Sequence, residues 1–109
     1  MVEVIVERDE ENRICGFQGC QIEDGPGMAA LYLVRAAVAG LSDYLHFESS
    51  FCEENGEFSW LIDRSAAYSH LNREIDAILE TVLCGLKLLE HNYQAEFIVQ
   101  DMTADVSVS

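Results

Sequence analysis

Two long apolar stripes at helical spacing constrain this chain more than any other feature. Leu31, Val34, Val38, Leu41 and Leu45 recur at three- and four-residue steps, and so do Ile75, Ile78, Leu79, Val82, Leu83, Leu86 and Leu89. The first stripe predicts a helix over Met28–Leu45, kept thin by Ala36, Ala37, Ala39 and Gly40; the second predicts one from Ser69 or Asn72, either able to cap it, to His91-Asn92. Each stripe needs an apolar surface to lie on. The remaining segments offer a sheet.

Val2 to Arg8 alternates, with Val2, Val4 and Val6 on one face and Ile5 on the other. A polar turn, Asp9 to Asn12, leads to a second strand over Arg13–Gln18 and so to a hairpin. Between the helices, Leu45–Phe51 and Phe58–Ile62 read as strands joined by Glu54-Asn55-Gly56-Glu57, whose Asn-Gly pair favours a tight hairpin. Ala95–Gln100 reads as a last strand before a loose tail at about 102–109. The expected fold is α+β: a two-layer sandwich in the order β-β-α-β-β-α-β, with a mixed sheet of about five strands and two helices on one face. At 109 residues, 1–109 forms a single domain. Ile5 and Ile98 on the other sheet face suggest burial in a homodimer.

Twenty acidic residues against six Lys and Arg give a net charge of −14. Such a surface repels phosphate, which argues against nucleic acid and anionic membrane and for a basic protein or peptide as partner. The alternative is a solvated surface that confers only solubility. The first residues lack a basic start and apolar centre, so the chain is expected to be cytoplasmic, with Cys15, Cys20, Cys52 and Cys84 reduced. The Cys and His spacing fits no metal site, and no cofactor motif is present. Cys84, among Val82, Leu83 and Leu86, is expected in the core, as is Trp60.

Gly19-Cys20, the loop Glu23-Asp24-Gly25-Pro26-Gly27 and the run Val34-Arg35-Ala36-Ala37-Val38 resemble the core motif of the ribosomal-processing cysteine proteases, the Prp or YsxB-like family. The resemblance extends to the Asn-Gly-Glu-Phe hairpin and to the second helix. Family members place a Gly-His pair at a strand end and, after a glycine-bearing loop, open a helix with a catalytic Cys. They remove a short N-terminal extension from a ribosomal large-subunit protein. By this resemblance Cys20 stands where the His belongs and Arg35 where the Cys belongs, after a slightly longer loop. A guanidinium cannot be a nucleophile, and a thiol cannot replace an imidazole base.

The resemblance therefore implies a protease-deficient paralogue that binds a basic segment, a ribosomal protein being the first candidate. Its groove would be formed by Gly19, Cys20, Gly25, Gly27 and Arg35. The alternative is an active thiol hydrolase with Cys20 as nucleophile, although Glu23 and Asp24 would disfavour its thiolate. Each residue also has a plain role open to it. Cys20 can be an inert thiol, Arg35 a helix residue paired with Glu23 or Asp24, and His46, His70 and His91 scattered surface residues.

Overall fold

A computed structural model describes residues 1–102 apart from Asp24. Its elements run β1 (Val2–Arg8), β2 (Ile14–Cys20), α1 (Pro26–Tyr44), β3 (Ser50–Glu54), β4 (Glu57–Leu61), α2 (Asn72–Asn92) and β5 (Phe97–Met102). This is the expected order. A short 3-10 segment, Ala66–Leu71, leads into α2. The strands form one mixed sheet in the order β3-β4-β2-β1-β5, antiparallel throughout except for the β1–β5 pair.

Strand alternation divides the sheet cleanly. Val2, Val4, Val6, Phe17, Phe58, Trp60 and Phe97 are buried on the face that α1 and α2 cover. They pack with Leu31, Val34 and Leu41 of α1 and with Ile75, Leu79, Val82, Leu83 and Leu86 of α2. The Phe17 and Trp60 rings stack 5.3 Å apart, and the Trp60 indole N–H donates to Ser49 Oγ at 2.7 Å. Burying such side chains contributes roughly 2 kcal/mol each. Exposed ion pairs contribute about 0–1 kcal/mol, so packing holds the layers together.

Two arginines tie the layers at their margins. Arg8, nearly buried, donates through Nε to Asp101 of β5 at 2.9 Å and through Nη1 to Glu80 of α2 at 2.8 Å. Arg64 donates to the Ile14 carbonyl at 3.0 Å and to Asn72 Oδ1 at 3.2 Å, and pairs with Asp76. That use of Asn72 explains one departure from expectation. Its side chain serves Arg64, and α2 starts after Leu71 without a side-chain cap from Ser69 or Asn72. At the other end no left-handed Asn92 is used; Tyr93 closes the helix with an N–H donated to the Leu89 carbonyl.

Three further expectations change. Leu45, His46 and Phe47 are not strand: α1 ends at Tyr44, His46 turns the chain at φ 55°, and Phe47 is buried against the Tyr68 edge. Cys84 is exposed, because the residue between Leu83 and Gly85 points away from the sheet. Of the loose tail, Met102 closes β5, and 103–109 lie outside the described residues. The Asn55-Gly56 turn is as expected, with φ of 53° and 76°, both in the left-handed region that a tight hairpin requires.

Two substitutions test this account. Gly19 lies opposite Phe58, and a Cβ there would stand 2.2 Å from the ring. Gly19→Ala should cost about 1–3 kcal/mol, read as a lower urea midpoint. In the β1–β2 turn, burial pushes the Asp9 carboxyl up, but the N–H groups of Arg13 and Glu11 and the Arg13 guanidinium outweigh it and hold it below its usual range. A lowered folded-state value stabilises above the unfolded value, near pH 4, and that stability is lost as pH falls through the folded value. Asp9→Asn should therefore lower the urea midpoint at pH 7 and narrow its gap from wild type at pH 3; an unchanged gap would contradict the assignment.

Candidate functional site

The open face of the sheet follows from the same alternation. Pairing sets Cys20 opposite Glu3, Gln18 opposite Ile5 and Ser59, Ser59 opposite Cys52, and Glu57 opposite Glu54. These side chains share the face that no helix covers. A solvent-open depression of about 510 Å³ lies there. Ile5 and Gln18 belong to its floor, Cys20 and Cys52 contribute thiols, and Glu3, Glu54 and Glu57 supply carboxylates. No Lys, Arg or His lines it. Chemically it suits a cation with an apolar stem.

Gly19 and Cys20 thus line one cavity. Gly19 is there because Phe58 leaves room for nothing larger, and its inward position sends Cys20 outward. Gly25 and Gly27 lie elsewhere, in the connection to α1. Gly25 precedes the helix at φ 58° and ψ −130°, a backbone that glycine adopts without strain. Gly27 is buried, with a Cβ position 3.2 Å from the Ile22 backbone. A smaller cavity of about 320 Å³ sits beside this connection, with Gln21, Glu23 and Pro26 along it and Met1 at its mouth. The Met1 ammonium donates to Gln21 Oε1 at 2.6 Å.

Arg35 does not join Cys20. It is the tenth residue of α1 and lines neither cavity. Its half-exposed side chain lies 3.7 Å from Glu53 of β3 and 5.9 Å from the Tyr32 ring centroid. Glu53 alternates with Cys52 and Glu54 and so projects to the helix side of the sheet. Cys20 and Arg35, neighbours in a linear motif, are on different faces. The expected pairing of Arg35 with Glu23 is replaced by Glu53, and the one with Asp24 lies outside the described residues.

No imidazole is available beside either residue. His46, His70 and His91 are exposed and line neither cavity. All four cysteines are free. Burial, and then the charges of Asp9 and Glu7, push the Cys15 thiol up, away from the thiolate form. No group of three or more His, Cys, Asp or Glu among the described residues could hold a metal ion, and no described helix is long and apolar enough to cross a membrane.

Sequence reasoning missed Glu3, Cys52, Glu54 and Glu57 as cavity residues. The Asn55-Gly56 turn already fixes Glu54 opposite Glu57 and Cys52 opposite Ser59. The link from β4 to Cys20 needs the β2–β4 pairing, which spans α1 and is invisible locally.

No protein-family profile and no curated protein sequence matches the chain. Solved structures do. The S. aureus ribosomal processing protease Prp, in complex with a substrate peptide, superposes with a TM-score of 0.79 at 17% identity, covering 94% of this chain and 100% of that one. Prp with a covalently linked product peptide gives 0.77 at 18% identity, covering 94% and 100%. The Streptococcus mutans protein SMU.848 gives 0.80 at 17% identity, covering 94% and 98%. The chain has the fold of the ribosomal processing protease Prp over nearly its whole length.

Proposed function

We propose that this protein is a Prp-like peptide-binding module without protease activity, and that its ligand is a basic segment of another protein. The observation that carries this reading is the depression beside Cys20. It presents carboxylates and no cation, in a fold whose neighbour was solved with a substrate peptide. Of the six Lys and Arg, Arg8, Arg13, Arg35 and Arg64 are already ion-paired, so the negative excess faces solvent. A basic segment would be drawn to that excess and repelled least at this site. A ribosomal protein tail is the first candidate.

The absence of catalysis does not depend on where the family motif is aligned. From Gln21 to Leu41 there is no Cys, Ser, Thr or His. The loop and most of α1 thus offer no thiol, aliphatic hydroxyl or imidazole at any register. Cys20 remains as a nucleophile, but a thiol needs a base or a cation to hold it as thiolate, and its cavity has neither imidazole nor ammonium. Removing both nucleophile and base leaves only a small residual rate enhancement.

Fluorescence anisotropy with a labelled Lys/Arg-rich peptide and an uncharged peptide of equal length tests the reading. The basic peptide should bind, weaken as salt rises from 50 to 500 mM (about an order of magnitude in ionic strength), and lose at least about tenfold in affinity with Glu54→Lys plus Glu57→Lys. Mass spectrometry should find it uncleaved. Equal binding of both peptides would overturn the proposed ligand. Cleavage that Cys20→Ala abolishes would instead establish the thiol hydrolase.

A further inference from the structure

The sheet has two edges, and the chain closes only one of them. At β5 the Val99 N–H donates to Glu90 Oε2 of α2 at 2.8 Å, and Arg8 holds Asp101 of the same strand at 2.9 Å. At the opposite edge β3 has β4 as its strand neighbour. Among the described residues no backbone group of 50–54 makes a hydrogen bond outside that pairing. Ser50, Cys52, Glu53 and Glu54 are exposed, and Phe51 is half-buried.

The Asn55-Gly56 turn decides which groups of β3 face outward. Both residues have positive φ, 53° and 76°, as a two-residue type I′ loop requires. Such a loop is closed by a hydrogen-bonded pair, here Glu54 and Glu57. Bonded and non-bonded pairs then alternate along an antiparallel ladder. Cys52 and Ser50 therefore bond to β4, while Phe51 and Glu53 direct their N–H and C=O groups away from the sheet. These main-chain groups stand open in one row.

An open edge is a template for another strand, and proteins ordinarily blunt it with proline, lysine or a bulge. β3 has none of these: it reads Ser-Phe-Cys-Glu-Glu, and its register with β4 runs without a shift. What borders the edge is acid. Glu54 and Glu57 line the depression on the open face, Glu48 precedes the strand, and none of the three pairs with a cation among the described residues. Glu53 meets only Arg35, at 3.7 Å and partly exposed. A second β3 laid on this edge would bring Glu53 and Glu54 against like charges. A basic strand would meet opposite ones.

We infer that the free edge of β3 takes up an extended basic segment as a sixth strand of the sheet; the inference rests on the basic-ligand reading above and names how that ligand is held. An added strand would lie about 4.8 Å from β3, and its side chains would alternate between two unlike faces. On the open face they stand beside Cys52 and Glu54, which line the depression, so a Lys or Arg there reaches carboxylates. On the other face they stand beside Phe51, which packs against the core with its ring 6.2 Å from that of Phe58. An apolar residue suits that place. The ligand is thus a segment alternating basic and apolar residues, with main-chain bonds giving affinity and the two faces giving selectivity.

Fluorescence anisotropy on the full chain tests this with a labelled peptide of alternating Lys and Val. Two further forms carry backbone N-methyl groups, one on the Val nitrogens and the other on the Lys nitrogens. In an added strand only one of these sets faces β3. One form should therefore lose at least about tenfold in affinity, and the other should bind as the parent does. Glu53→Pro removes an outward N–H at a position where edge strands accept proline, and it should also lose at least about tenfold while staying folded by circular dichroism. Glu53→Gln, which removes only the charge, should lose less. Equal effects of the two methylations would overturn the edge and leave the basic ligand at the depression. No binding of the parent peptide would overturn both readings. Loss of self-association in Glu53→Pro, with peptide binding unchanged, would assign the edge to a second copy and overturn the proposal as well.

Discussion

Both helices cover the same face of the sheet, and that one-sided cover decides where every strand residue acts. Alternation sends Val4, Phe17, Phe58 and Trp60 under α1 and α2 and leaves the intervening residues in water. Cys20 obeys this constraint through its neighbour. Gly19 takes the inward position against the Phe58 ring, where no side chain fits, so Cys20 takes the outward one. A one-residue slip of β2 would bury the thiol and break the core together. The candidate site is therefore held by packing that has no chemistry of its own.

Much of this architecture was legible where local pattern and tertiary outcome coincide. Val2–Arg8 is a strand with the bounds its alternation implies, and Asn55-Gly56 turns as its φ preferences dictate. Departures arose where two structures share one local pattern. Leu45-His46-Phe47 has the apolar rhythm of a strand, but Phe47 is buried as a loop residue that plugs the core beside Tyr68. Cys84 has apolar neighbours in sequence, but adjacent residues on a helix are about 100° apart, and Val82, Leu83 and Leu86 already fill the inward arc.

The site was half legible for a related reason. The motif joins Cys20 and Arg35 along the chain, whereas the fold puts one on the open face and the other on the helix layer. What surrounds Cys20 comes instead from strands remote in sequence: Glu3 across β1 and Glu57 and Glu54 across β4 and β3. Those contacts depend on sheet order, and sheet order is not written in any local period.

The distribution of charge has the same origin. On α2, Arg64 holds Asp76 and Arg8 holds Glu80 at the margins of the layer, and α1 has no acid before Asp43. Glu3, Glu54 and Glu57 line the depression on the open face, which no Lys, Arg or His lines. The open face thus carries carboxylates, whereas the exposed part of α1 carries Tyr32, Ala36 and Ala39. The −14 charge is therefore unevenly placed: Pro26 to Ser42 carries no acid, while the open sheet face carries Glu3, Glu54 and Glu57 beside Cys20.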